Sequence, residues 1–431
     1  MSAPVLVVAG LSVRALAQAA RRDGCEVIGL DLFGDADTRA ACRHWLPLAR
    51  ATGGEPGVWQ IDPASLRAAW AEALRGCAAQ GLPAPLGLLL GSGFAREGAD
   101  LADLPVLGSA AADIAVLRDP ARFFGALKAL GIEHPPVSLR PVNTPGWLRK
   151  DLAACGGAHV QPADGVAAAP GGPGLYWQQR LLGEAMSLTL VAAAGEDGGR
   201  AALLGLNRLL THAGPDGASH GHGGVIGPLP WTAGSQAQLQ TLADRLVRRF
   251  RLRGLVGIDL LLVAGRWQVL EINPRPTASL VLYGAGEPDH AAGTWAGPGA
   301  GLVQAHLRAC RDGAPPDALA LAAWRGGAQG RLRGCELVRS PVDGLLSAAG
   351  VARLQAQAAT LGLHDLPAGP QPLHAGAPVC SVQVVATSAH GDAALVRRLL
   401  ERRVAAAQAL LIDAPPAAQD ETPDLPIEIP A

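Results

Sequence analysis

The chain has 431 residues, 49% apolar and 17% charged, with a formal net charge of −1. That length predicts about three domains, and the apolar share supplies their cores without wholesale disorder. A near-neutral charge with no basic patch excludes electrostatic binding of nucleic acid.

Residues 4–9 (PVLVVA) form a short apolar run closed by Gly10, and Ser12 is placed to cap a helical pattern over Val13–Arg22. Residues 25–31 (CEVIGLD) read as a second buried strand, which makes a βαβ unit and predicts a parallel sheet. Residues 86–90 (LGLLL) and 105–107 (PVL) are expected as later strands of that sheet, so the first domain runs over 1–110. Gly10-Leu11-Ser12 lacks the second and third glycines of a dinucleotide fingerprint, leaving an ordinary doubly wound domain.

Residues 111–130 carry a helical pattern ending at Gly131, with Pro135-Pro136 beyond it as a stop. Residues 144–194 alternate strand-like runs with Gly and Pro clusters, including a loop over 163–174. The stretch 214–224 is Gly-rich and carries His220 and His222, and a helix is expected over 236–250. Two histidines with no cysteine nearby are too few for a closed zinc site, so a substrate-side loop is the better reading. His134, before Pro135, reads as structural. Beyond residue 311, helical patterns over 314–324 and 392–411 flank strand-like runs at 335–338 and 378–386. The stretch after Pro415 is Pro- and acid-rich, a tail.

Cys25, Cys42, Cys77, Cys155, Cys310, Cys335 and Cys380 include no CxxC pair, and seven is odd, which argues against a disulfide framework. Met1–Gly10 lacks the basic flank of a signal peptide, and no apolar run reaches the roughly 20 residues that span a bilayer. A soluble, cytoplasmic protein is expected, with no membrane partner.

The most informative segment is 255–276, LVGIDLLLVAGRWQVLEINPRP. Two β-rich runs flank Ala264-Gly265-Arg266, the mark of a tight hairpin. Strand alternation points Glu271 and Asn273 the same way. A two-residue loop pairs Asp259 with Leu270, whereas a three-residue loop pairs Val263 with Trp267 and sets Asp259 opposite Glu271. We expect the second. Neighbouring carboxylates repel, so that arrangement asks for a counter-charge, and a hard divalent cation supplies one.

This hairpin resembles the metal-binding signature of ATP-grasp enzymes, the superfamily of biotin carboxylase and D-alanine–D-alanine ligase. Glu271 lies twelve positions after Asp259 and opens the motif Glu-x-Asn-x-Arg. The resemblance covers about residues 1–300. It implies an α/β (α+β overall) ATP-grasp fold over 111–310, with a lid at about 144–194 and the metal hairpin at 255–276. The βαβ domain precedes it, a C-terminal α+β region fills 311–415, and the tail is 416–431. By that likeness Asp259, Glu271 and Asn273 hold Mg²⁺ (or Mn²⁺) at the phosphates of ATP. Arg275 meets the carboxylate or acyl phosphate, and an Arg fork suits that geometry.

On the nucleotide side, Lys150 matches the family's phosphate-binding lysine. Gly156 and Gly157 would let backbone N–H groups approach anionic oxygens. Residues 176–189 (YWQQRLLGEAMSLT) resemble the strand and hinge that carry adenine. There Gln178 and Gln179 take polar positions, the backbone near Leu181 reads the ring, and Glu184 faces phosphate or ribose. The chain departs from the family in having Asp151 after the lysine, and Asp119-Pro120 where an earlier lysine usually stands. Arg118 or Arg122 is the candidate replacement.

Residues 30–39 (LDLFGDADTR) and 376–387 (GAPVCSVQVVAT) narrow the likeness to predicted ATP-dependent carboligases related to biotin carboxylase, from tetrahydromethanopterin-linked one-carbon metabolism. That likeness implies an ADP-forming carboxylate–amine ligase working through an acyl phosphate, in pterin or furan cofactor biosynthesis. Its partners are a small-molecule carboxylate and amine, and a homodimer is the candidate assembly. The alternatives are a bicarbonate-activating carboxylase and a non-catalytic ATP-binding regulator.

Overall fold

The computed structural model describes residues 3–51, 59–94, 101–152, 157, 160–164, 174–194, 198–212, 220–283, 301–324, 331–387 and 392–412. Gly156, Cys155 and the tail 416–431 lie outside them.

The chain begins with a parallel sheet in the order His44–Pro47, Glu26–Asp31, Val5–Gly10, Leu88–Leu90. All of Val5–Gly10 is buried, as a central parallel strand covered on both faces must be. Leu6 and Val8 pack with Leu16 and Ala20 on one side, while Val7 and Ala9 meet Leu66 and Ala73 on the other. Val106 extends the edge by a single parallel bridge to Leu88.

Two local expectations are corrected. The first helix is Arg14–Arg22, its N-cap is Val13, and Ser12 does not cap it. The Ser12 hydroxyl donates instead to Asp365 Oδ1 at 3.1 Å, because an ionised carboxylate is the stronger acceptor. The pattern over 111–130 is two helices, Ala111–Leu117 and Pro120–Ala129. Asp119 caps the second by accepting from Arg122 N at 3.1 Å, and Pro120 occupies the first turn, where a missing N–H costs nothing.

Among the described residues the central sheet has eight strands, each antiparallel to its neighbours. Their order is Arg266–Asn273, Arg253–Val263, Glu184–Ala193, Arg200–His212, Gly221–Leu229, Arg331–Arg339, Pro378–Thr387 and Leu363–His364. The C-terminal strands therefore extend the sheet that carries the hairpin. One face is apolar: Leu188, Leu190, Ile258 and Leu260 pack against Leu239 and Leu246 of helix Ala233–Phe250. A separate small sheet, which overlaps the lid expected at about 144–194, follows the order Val137–Ser138, Leu175–Gln179, Trp147–Asp151, Gln161–Pro162.

The first sheet is tied to the C-terminal region by buried charge. Arg14 donates to both oxygens of Asp365, at 2.8 and 3.2 Å, and Asp37 accepts from the backbone N–H of Asp365 and Leu366. No helix among the described residues is long and apolar enough to cross a membrane.

Candidate active site

The hairpin turn differs from expectation, yet the acids still meet. Val263 pairs with Arg266 across the two-residue turn Ala264-Gly265, whose φ values are 47° and 80°. Left-handed conformations at both positions suit the right-handed twist of the flanking strands. A bulge then restores the register. Leu260 faces Val269 but Asp259 faces Glu271, so Leu270 is the extra residue.

The face opposite the apolar core carries a polar row. Glu271 pairs with Asp259, Asp259 with Ser187, and Ser187 with Asn207, across four adjacent strands. One step along, Asn273 lies opposite Gly257. Asn273 Nδ2 donates to Asp259 Oδ2 and Glu271 Oε1, each at 3.2 Å, and its Oδ1 accepts from Arg275 Nη2 at 3.2 Å. Arg275 is itself buried, with Nη1 donating to Pro276 O. Burial, followed by the facing Glu271, holds the Asp259 carboxyl well above the usual carboxylate range, and Arg275 and Lys150 pull the other way. Two half-buried carboxylates and an amide fit magnesium, which takes few protein ligands and completes its shell with phosphate oxygens and water. Among the described residues no cluster of three or more His, Cys, Asp or Glu offers a closed metal cage.

Lys150 faces this acid pair from the lid. It is buried, and its Nζ donates to Gln178 Oε1 at 3.2 Å and lies 5.8 Å from the Tyr176 ring centroid. Burial works against its charge, but Tyr176, Glu271 and Asp259 outweigh it and hold the ammonium above its ordinary value. Burial also pushes the Tyr176 phenol up, so it stays neutral near pH 7 and the carboxylates supply the field there. The other end of the Gln178 amide, Nε2, is buried with no hydrogen-bond partner among the described residues. A buried donor left open beside a lysine suits a polar ligand such as a nucleotide.

Residues 119–279 match the family model for the ATP-grasp domain. This segment has the ATP-grasp fold. No curated protein matches the chain by sequence. Across nearly its whole length the fold is similar to several solved structures. The N5-carboxyaminoimidazole synthase from Aspergillus clavatus, in complex with ADP and 5-aminoimidazole ribonucleotide, has a TM-score of 0.59 at 15% identity, covering 94% of this chain and 99% of that one. The N5-carboxyaminoimidazole ribonucleotide synthetase from Thermotoga maritima gives 0.54 at 15%, covering 94% and 97%. Biotin carboxylase from Campylobacter jejuni gives 0.58 at 11%, covering 88% and 87%.

The remaining expected residues fall at different distances from the ATP-grasp cleft. Gly157 has φ +80°, and a Cβ there would sit 2.2 Å from His220 O, so the lid backbone lies against the strand entering at Gly221. Burial, then Arg180 and Lys150, lowers the His220 imidazole, which is therefore neutral beside this basic group. His222 lies within strand Gly221–Leu229, outside any loop, and burial followed by Arg339 lowers it to about 4. Gln179 ends its strand exposed, with its N–H bonded to Pro136 O. Leu181 is half-buried in the connection 180–183 that joins lid to central sheet. Glu184 is exposed and ion-paired to Arg208 at 2.9 Å; it pairs with Leu262, whose position alternates away from the acid-bearing face.

Arg118, not Arg122, reaches the acid-bearing hairpin: Arg118 Nη1 donates to Ile272 O at 3.3 Å, between Glu271 and Asn273, while Arg122 is exposed. Sequence reasoning missed the continuation of the polar row through Ser187 and Asn207. Alternation places Ser187 on a face, but only the register between Glu184–Ala193 and Arg253–Val263 sets it beside Asp259.

Proposed function

We propose that this ATP-dependent ligase joins a carboxylate to an amine through an acyl phosphate, releasing ADP and phosphate. The observation that carries the reading is the Asp259–Glu271 pair with Asn273 beside it, facing the buried ammonium of Lys150 across the cleft. Asp259, Glu271 and Asn273 would hold Mg²⁺ or Mn²⁺, which neutralises charge on the phosphates when bound. Lys150 holds a phosphate oxygen, and Gln178 and the 180–183 connection serve the nucleotide.

Arg275 orients the substrate carboxylate, one oxygen of which attacks the γ-phosphorus in line while the β–γ bridging oxygen leaves with ADP. The amine then adds to the acyl carbon, and the phosphate departs with the carboxylate oxygen it received. Docking of Gly157 against His220 closes the lid and keeps water from the acyl phosphate. The finer proposal is that the acid and amine belong to the assembly of a pterin or furan one-carbon cofactor.

A second reading takes bicarbonate as the acid, and the names of the similar solved structures, carboxyaminoimidazole synthetases and a biotin carboxylase, favour it. Phosphate and ADP release measured over pterin, furan and amino-acid substrate pairs, with and without labelled bicarbonate, separates the two. Turnover needing an organic acid and no bicarbonate supports the amide ligase. Label fixed into product supports the carboxylase. Absence of ADP release in every arm sinks both.

A further inference from the structure

Among the described residues, two hydroxyls on the acid-bearing face have no protein partner. Ser187 lies directly opposite Asp259 in the neighbouring strand and is 1% exposed, yet no hydrogen bond among the described residues reaches its Oγ. Thr277 stands two residues beyond Arg275, and its Oγ1 is buried with no partner. Its methyl group occupies the space that Gly257 leaves: a Cβ on Gly257 would come within 2.6 Å of Thr277 Cγ2. Gly257 pairs with Asn273 on one side and Thr189 on the other, so Thr277 covers the sheet one step along from Ser187. Leaving a buried hydroxyl unbonded costs about 1–3 kcal/mol, which a fold tolerates where a ligand completes the bond.

The neighbouring polar groups on this face are satisfied. Asn207 donates to Thr189 Oγ1 at 3.0 Å and accepts from the Tyr283 hydroxyl at 2.6 Å. Open hydroxyls are thus left beside the acids and beside Arg275, where the proposed reaction brings carboxylate and phosphoryl oxygens together. Those oxygens are acceptors, and the two hydroxyls add donors without adding charge next to the carboxylates.

We propose that Ser187 and Thr277 are substrate-binding residues that donate to the oxygens of the acyl group, in the carboxylate and in the acyl phosphate formed from it. The assignment rests on the ligase reading above and names how that site grips its acid.

The test runs the reaction backwards in the full-length protein: Mg-ADP with acetyl phosphate or carbamoyl phosphate, and ATP formation as the readout. Ser187→Ala and Thr277→Val should each raise KM for the acyl phosphate roughly three- to tenfold, as expected for one lost hydrogen bond. KM for ADP and the melting temperature should stay unchanged, and Ser187→Thr and Thr277→Ser should retain activity. If Ser187→Ala lowers the melting temperature, Ser187→Cys keeps the volume and still gives up the strong donor. A double variant with an unaltered acyl-phosphate KM overturns the assignment, as does an equal rise in the ADP KM. A wild-type protein that makes no ATP from either probe overturns the ligase reading itself, whereas an active wild type with indifferent variants removes only the hydroxyls' role.

Discussion

Asp259 faces Glu271 because Leu270 is bulged out of the ladder between them. The two-residue turn at Ala264-Gly265 alone would have placed Leu270 opposite Asp259 and sent the acids to different faces. One extra residue re-aims a side chain, a recognised use of bulges near functional sites. The consequence is a pair of carboxylates whose mutual repulsion and burial raise Asp259, with Asn273 bridging them.

Neutralising the pair should therefore abolish chemistry without unfolding the protein. Asp259→Asn with Glu271→Gln is expected to lower turnover by at least about 10²–10³-fold. Its melting temperature without nucleotide should match or exceed wild type, because the repulsion is gone. ADP-release kinetics and calorimetry check both parts, and retained turnover would remove the metal assignment.

The arginine at the linker gives a contrast between near neighbours. Arg118→Ala loses the bond to Ile272 O and a cation next to the strand that carries Glu271 and Asn273, so KM for ATP should rise about tenfold. Arg122→Ala, exposed on the helix, should change it less than twofold. Equal effects from the two variants would show that the linker charge is not read by position.

Gly157 tests lid docking. With φ +80° and His220 O 2.2 Å from any added Cβ, Gly157→Ala strains the backbone and pushes lid from strand. The cost is about 1–3 kcal/mol of closed state, which predicts a several-fold to hundredfold rise in KM for ATP. Unchanged ATP kinetics would mean that this contact does not form during turnover.

The junction of the first sheet with the C-terminal region should be pH-sensitive. Burial, then Asp365, Asp31 and Asp37, raises Asp35 to about 8, and Arg14 opposes them. A carboxyl raised in the folded state binds its proton more tightly there than in the unfolded chain. Its contribution to stability is full below the ordinary carboxylate range and is lost as pH climbs toward 8. Asp35→Asn removes that dependence, so the variant should gain on wild type by a few kcal/mol at pH 8 and by much less at pH 5. Denaturant melts at the two pH values decide it, and parallel curves would contradict the shift.

Arg14 is the counterpart at that junction. Arg14 is buried and its bidentate partner Asp365 half-buried, so Arg14→Met leaves an unpaired acid and should cost roughly 1–3 kcal/mol, with Arg14→Met/Asp365→Leu recovering much of it. Recovery of nothing would argue against the pair as the source.

The parallel opening sheet and the hairpin were legible in the chain because each is local. Apolar runs of a few residues, a Gly-bearing turn and alternating faces are written in neighbouring positions. The side-by-side placement of Glu271 and Asn273 follows from alternation alone, and the motif Glu-x-Asn-x-Arg carries the resemblance to ATP-grasp enzymes.

Pairings between distant segments were decided only by the tertiary structure. The bulge at Leu270, the seat of Ser187 beside Asp259, Arg118 at Ile272, and Ser12 bonding Asp365 instead of capping its own helix each join separate strands, helices or regions. Register and buried charge are settled when elements pack, since the free energy of a hydrogen bond or ion pair depends on which partner arrives and how much water leaves.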